Sequence, residues 1–249
     1  MLLVELLLLA LGFVLLVKGA DWFVDGTAGV AQKYGIPQLV VGLTIVAMGT
    51  SAPEAAVSIT AALKGNADIT VGNIVGSNIF NILVVIGASA LLGKLTVDKV
   101  LIKRDFPFLV ISTVGLLLIA MKYGELSQLC GGIFLIIIIT YVIVLVQEAR
   151  KDREAMAEEV EAKLSIPKSL IYIIIGIAGI IIGAKLVETN ASAIGLAAGL
   201  TPELVTLTIV AIGTSLPELA TSVTALKKGE NGIVIGNVLG SSIFNILFI

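Results

Sequence analysis

Gly49-Thr50-Ser51-Ala52-Pro53-Glu54 is a polar stretch inside an apolar segment, and it returns 164 residues later as Gly213-Thr214-Ser215-Leu216-Pro217-Glu218. Around it, residues 41–82 align with 205–246 without a gap and share 26 of 42 positions, which identifies an internal repeat. A second motif keeps the same offset. Gly72-Asn73-Ile74-Val75-Gly76-Ser77-Asn78-Ile79-Phe80-Asn81 is matched by Gly236-Asn237-Val238-Leu239-Gly240-Ser241-Ser242-Ile243-Phe244-Asn245. The chain is two related halves, each with one acidic residue inside a proline-broken apolar helix.

Composition sets the solvent. Hydrophobic residues make up 57% of the chain, charged residues 14%, and mean hydropathy is +1.09, far from the soluble norm. An all-α polytopic membrane protein follows, with the lipid bilayer as its surroundings. A net charge of −2 without a basic arm excludes a nucleic-acid partner. The absence of histidine removes His-based zinc sites and Ser-His or Cys-His nucleophile pairs. The one cysteine, Cys130, cannot form an internal disulfide and reads as a packing residue.

Apolar segments lie near 2–17, 37–63, 69–92, 106–121, 128–147, 169–187, 200–226 and 231–249. A bilayer core needs about 20 helical residues, so each can span, with 106–121 on the short side. The first lacks a basic leader and carries Glu5, so it reads as a span and not as a signal peptide. With the N-terminus outside, 13 lysines and arginines fall in inside connections against Lys64, Lys122 and Lys185 outside, which predicts that orientation in the plasma membrane. The second segment and its copy are then five spans apart and cross in opposite directions. This gives inverted repeats of five helices each, the pattern of many secondary transporters with a site at the midplane.

The expected organisation is a first half at 1–147 (core repeat 36–91), a charged cytoplasmic linker at 148–168, and a second half at 169–249 (core repeat 200–249). By the offset, Ile249 corresponds to Val85, and residues 86–147 have no counterpart in the second half. Two further helices are expected beyond Ile249, completing a ten-helix fold.

Of 18 acidic residues, only Glu54 and Glu218 fall deep inside apolar spans. An ionisable group there costs on the order of 3 kcal/mol even on the mild insertion scale, so a functional role is the default reading. Pro53 and Pro217 have no N–H and open the helices, freeing the carbonyls of Gly49 and Gly213. Thr50 lies four residues before Glu54, and Ala47 one turn before Thr50. Ser77 with Asn81, and Ser241 with Asn245, repeat the four-residue spacing. Six to eight oxygen ligands are within reach, the preference of Ca²⁺, and nothing soft or nitrogenous is offered. Gly72, Gly76, Gly236 and Gly240 read as small residues for close helix approach, and Asn73 and Asn237 as supports behind the ligands.

The paired Gly-Thr-Ser-x-Pro-Glu segments, each followed by Gly-Asn-x-x-Gly-Ser-x-Ile-Phe-Asn, resemble the two alpha-repeats of the calcium/cation antiporter superfamily, and within it the prokaryotic sodium/calcium exchangers. The resemblance spans about 200 residues. It implies ten helices in two inverted halves and counter-transport of Na⁺ and Ca²⁺ by alternating access, with no cofactor and no obligatory protein partner. Carried over by position, Glu54 and Glu218 are the central carboxylates and Thr50 and Thr214 carbonyl ligands. Ser51, Ser215, Ser77 and Ser241 complete Na⁺ sites with the carbonyls of Ala47 and Ala211. Relatives often carry Asp where Asn245 stands; with Asn here and at Asn81, the Na⁺:Ca²⁺ ratio stays open. Two alternatives stand beside Na⁺/Ca²⁺ exchange. A Ca²⁺/H⁺ or other cation/H⁺ antiporter would carry protons on the same glutamates. An intramembrane hydrolase would use Ser51 as nucleophile and Glu54 as base, but no His or mid-span Lys activates a serine.

Overall fold

The computed structural model describes residues 2–124, 126–155 and 164–249. Ten helices and no strand occur among the described residues. Helix α1 runs Leu2–Tyr34. A broken span follows, α2 (Gln38–Thr50) and α3 (Ala52–Leu63), bent by 50°. Helix α4 runs Ala67–Phe80, passes a π turn at Asn81–Val85 and ends as Ile86–Leu92. Then come α5 (Leu101–Tyr123), α6 (Gln128–Ala155) and α7 (Ile166–Ala197). The second broken span is α8 (Pro202–Val205, a π turn at Thr206–Val210, Ala211–Thr214) with α9 (Leu216–Lys227), bent by 49°. Helix α10 is Asn231–Leu247.

Among the described residues, five helices are long and apolar enough to cross a membrane, up to seven if each bent pair counts as one span, and α10 is a shorter apolar helix. Large apolar side chains face outward, including Leu7, Ile111, Ile136 and Ile174. In water this belt would be ruinous, and in hydrocarbon it is the solvated face. The protein is a multi-pass membrane protein.

The repeat is visible in the fold. The π turns at Gly42–Val46 and Thr206–Val210 are images of one another, as are the breaks at Ser51 (ψ 7) and Ser215 (ψ 4). Helices α1 and α7 are images too, and they cross with their backbones almost touching. A methyl group added at Gly19 would lie 2.8 Å from the Gly176 carbonyl oxygen, and one at Gly12 would lie 3.0 Å from that of Gly183. Gly12 and Gly19 are the images of Gly176 and Gly183, so the crossing has an approximate two-fold axis. Only hydrogen fits there, and dispersion across so close a contact is what holds helices together in lipid. At the other end of the molecule α10 is the centre, buried at every residue from Ile233 to Leu247. It packs Ile235, Leu239 and Ile243 with Leu43, Leu109 and Leu145 of α2, α5 and α6.

Two segments run longer than hydropathy alone predicts. Helix α1 continues past residue 17 through Asp21 and Asp25, because Lys228 Nζ lies 2.6 Å and 2.7 Å from their carboxylates. Helix α5 starts at Leu101 and not near 106. Its fully buried Asp105 accepts from Arg104 Nε (2.7 Å) and from the Tyr141 hydroxyl (2.8 Å), while Arg104 also pairs with Glu148. Charge that is paired and hydrogen-bonded can be placed where isolated charge cannot. Of the expected linker, 148–155 prolongs α6 as a helix. Residues 156–163 lie outside the described residues, as does Glu125.

Candidate functional site

The two breaks meet at the middle of the molecule, and each half completes the other. At each break the preceding half-helix ends and the next begins, with Pro53 or Pro217 in the first turn of the new helix. Glu54 and Glu218 therefore sit in the first turn of α3 and α9, at the positive end of the helix dipole. The carbonyl ends of α2 and α8, at Ala47–Thr50 and Ala211–Thr214, are the matching negative poles. Both carboxylates are fully buried.

The hydrogen bonds cross between halves. Ser51 donates to Glu218 Oε1 (3.0 Å), and Ser215 donates to Glu54 Oε1 (3.3 Å), an exchange related by the repeat. Ser77 also donates to Glu54 Oε1 (3.4 Å). Thr50 Oγ1 donates to Asn237 Oδ1 (2.9 Å) and lies 3.4 Å from Ser241 Oγ. The carbonyl of Ala47 accepts from Thr50 (3.3 Å) and Ser241 (3.5 Å), and that of Ala211 from Thr214 (3.3 Å). Glu54, Glu218, Thr50, Ser51, Ser215, Ser77 and Ser241 are thus drawn together, with Ala47. The Thr214 hydroxyl has only the Ala211 carbonyl as partner among the described contacts, and Thr214 borders a cavity on one side of the site.

One group of atoms is conspicuous by its lack of partners. Among the described residues, Glu54 Oε2, Glu218 Oε2, Asn81 Oδ1 and Asn245 Oδ1 are buried without a hydrogen-bond partner, as is the Asn81 Nδ2 donor. The oxygens form two image pairs, Glu54 with Glu218 and Asn81 with Asn245. Buried oxygens are almost always satisfied, so four matched orphans call for a positive partner. Among the described residues no third Asp, Glu, Cys or His joins the carboxylates. The donor set is therefore two carboxylates, amide oxygens, hydroxyls and carbonyls, which suits a hard cation.

Supporting residues follow the same symmetry. Asn73 Nδ2 donates to the Glu54 carbonyl (3.2 Å) and to Ser58 Oγ (2.9 Å). Asn237 Nδ2 donates to the Glu218 carbonyl (3.3 Å) and to Ser222 Oγ (3.0 Å). Both asparagines brace the first turn and the following turn of the glutamate-bearing helices. Ser58 and Ser222, four residues after each glutamate, were absent from the sequence reading, although their matched spacing is a signal. Asn78 was absent as well. It accepts from Asn245 Nδ2 (3.1 Å) and donates to the Ser242 carbonyl (3.2 Å), tying α4 to α10. Its image is Ser242, so comparison of the repeats could not single it out.

One expectation is corrected. Gly236 and Gly240 do bring backbones together: a methyl group at Gly236 would lie 2.6 Å from the Leu39 carbonyl oxygen, and one at Gly240 would lie 2.7 Å from Leu43 Cα. Among the described residues, a methyl group at Gly72 or Gly76 would meet nothing within 4 Å. The two halves share a sequence pattern, but the glycines of α10 pack on α2 whereas those of α4 meet no described residue.

Comparison with known proteins agrees with this geometry. The sequence pattern of the family "Sodium/calcium exchanger protein" matches residues 4–147 and 168–249. CaxA of Alkalimonas amylolytica, named as a candidate antiporter, is 41% identical over 98% of this chain and 78% of its own length. The sodium/calcium exchanger MaX1 of Methanosarcina acetivorans is 34% identical over the whole of this chain and 82% of its own length. The structure of the sodium-calcium exchanger NCX_Mj, soaked with Na⁺ and Ca²⁺, superposes with a TM-score of 0.86 at 34% identity. The match covers 99% of this chain and 80% of that one.

Proposed function

The chain belongs to the sodium/calcium exchanger family, and on that premise we propose that it is a secondary antiporter exchanging Na⁺ for Ca²⁺ by alternating access at the site between the two breaks. Glu54 and Glu218 are the central carboxylates. The carbonyls of Thr50, Thr214, Ala47 and Ala211, the hydroxyls of Ser51, Ser215, Ser77 and Ser241, and the amide oxygens of Asn81 and Asn245 complete the ligand sets. The observation that carries this reading is the two image pairs of buried oxygens without a protein partner.

Charge explains why the ions exchange and do not simply leak. Two carboxylates give the site −2, which one Ca²⁺ or two Na⁺ neutralise. A surplus unit charge 4 Å from another costs about 4 kcal/mol at an effective dielectric of 20. Occupancy by one ion type therefore excludes the other. Because the half-helices already present their poles to the site, little reorganisation is needed when one cation set replaces the other.

The protein works in the plasma membrane, with its N-terminus outside and the 148–168 linker in the cytoplasm; the lysine and arginine distribution supports this orientation. The test is uptake of ⁴⁵Ca²⁺ into proteoliposomes loaded with Na⁺ or with choline, and separately under a pH gradient. Uptake that requires internal Na⁺ is expected. Uptake driven by the pH gradient and indifferent to Na⁺ would overturn the reading in favour of proton coupling.

A further inference from the structure

The two faces of the molecule that the repeat relates are not in the same state. On one face a cavity of about 540 Å³ lies between α3 and α7 and reaches Pro53, Gly213 and Thr214 at the site. Moving its lining by 164 residues maps it onto α9 and α1, where Ala20, Val24, Ala225 and Ile233 pack in one buried cluster. Val57 lines the cavity and is 38% exposed, whereas its image Thr221 is fully buried. Ile69 is 52% exposed, and its image Ile233 is fully buried. At the site itself, Thr50 is bonded to Asn237, and no corresponding bond joins Thr214 to Asn73 among the described residues.

The rims of the two faces differ in charge in a way that matches this asymmetry. On the closed face, Lys228 at the end of α9 is gripped by α1. Its Nζ lies 2.6 Å from Asp21, 2.7 Å from Asp25 and 2.9 Å from the Asp21 carbonyl oxygen. The image of Lys228 is Lys64, at the rim of the open cavity. The images of Asp21 and Asp25 are Lys185 and Thr189. Lys64 therefore shares its cavity with a lysine, Lys185, at the position where Lys228 meets a carboxylate. Glu188, on the same rim, is already bonded to Lys185 through both oxygens (3.0 Å and 3.2 Å). Lys64 forms no ion pair among the described residues.

We propose that Lys228, Asp21 and Asp25 form a one-sided latch that holds the α1–α9 face closed. The like-charged pair Lys64 and Lys185 leaves the α3–α7 face without one, so the protein rests open on the Lys64 face. This rests on the alternating-access reading above and adds the residues that set its resting position. Closure of the open face must then come from the cations themselves, drawing α3 and α8 together through Glu54 and Thr214. Opening of the other face requires Lys228 to leave Asp21 and Asp25. The three side chains are positioning residues that touch no transported ion, and their effect is on which face is open.

The test reads each face separately. In a Cys130→Ser background, Val57→Cys or Thr221→Cys places a single thiol at image positions on the open and closed faces, and maleimide labelling is timed in detergent without Ca²⁺. The thiol at 57 should label quickly and the one at 221 slowly. Lys228→Gln should raise labelling at 221 and lower it at 57 by about three- to tenfold, the shift that the loss of part-buried ion pairs can give. Lys228→Glu with Asp21→Lys, which keeps the charge of the cluster, should restore the original rates. Lys185→Asp, which installs the image of Asp21 on the open face, should likewise lower labelling at 57 and raise it at 221. Unchanged rates in Lys228→Gln, or rates that rise on both faces together, would mean that the cluster is only a stability contact, and would overturn the proposal. The labelling needs no transported ion. Reciprocal shifts in a protein that fails to exchange Ca²⁺ for Na⁺ would sink the exchange reading and leave the latch standing.

Discussion

A carboxylate at the centre of a membrane protein is tolerated when something positive or hydrogen-bonding meets it, and here each glutamate is only half met. Oε1 of Glu54 takes bonds from Ser215 and Ser77, Oε1 of Glu218 takes one from Ser51, and both Oε2 atoms are left over. Removing either carboxylate leaves one charge to hold a dehydrated divalent ion. Glu54→Ala and Glu218→Ala should each reduce ⁴⁵Ca²⁺ uptake by on the order of 100-fold or more, the loss expected when one partner of a buried charge set is deleted. Substantial uptake in either variant would place the ion elsewhere. The supporting asparagines should separate by burial. Asn237 is fully buried and serves Thr50, Ser222 and the Glu218 carbonyl, so Asn237→Ala strands buried groups and should lower stability by about 1–3 kcal/mol. Asn73 is half-buried with two bonds, so Asn73→Ala should cost less. Thermal unfolding in detergent checks the order, and equal shifts would contradict it.

At the scale of the element, the breaks carry the design. Proline sets where each span opens, and the half-helix ends then present opposite poles to one point. This much was legible in the sequence, because Pro53 and Pro217 act locally and hydropathy marks the spans around them. The ends of α1 and α5 were not. Asp21, Asp25, Arg104 and Asp105 read as the edge of a span until Lys228, Tyr141 and Glu148 are seen to meet them, and those partners are distant in sequence. The glycines of α4 and α10 teach the same lesson. Their motifs are alike, yet only the glycines of α10 have another helix against them, because α10 is buried among α2, α5 and α6 while Gly72 and Gly76 meet no described residue. Gly236→Ala should therefore destabilise the protein by about 1–3 kcal/mol, as an added methyl group does in a full core. Gly72→Ala should change stability by no more than about 0.5 kcal/mol. Equal costs in thermal unfolding would show that α4 and α10 are packed alike.

At the scale of the whole molecule, two inverted halves give one site and two faces. The repeat alone predicted the inversion and the pairing of Glu54 with Glu218. It could not predict which face is open, since that depends on differences between the halves, such as Lys185 standing where the first half has Asp21. In the proposed exchange Na⁺ and Ca²⁺ contend for the same two carboxylates, and charge sets the outcome. With Asn81 and Asn245 both neutral, the site balances one Ca²⁺ or two Na⁺, and mixed full occupancy leaves a surplus in a low-dielectric centre. The most direct measurement is Ca²⁺ binding to the detergent-purified protein, titrated with NaCl and, at matched ionic strength, with choline chloride. Na⁺ should weaken Ca²⁺ binding with a Hill coefficient above one, while choline leaves it unchanged. A Ca²⁺ affinity that does not respond to Na⁺ would contradict the shared site.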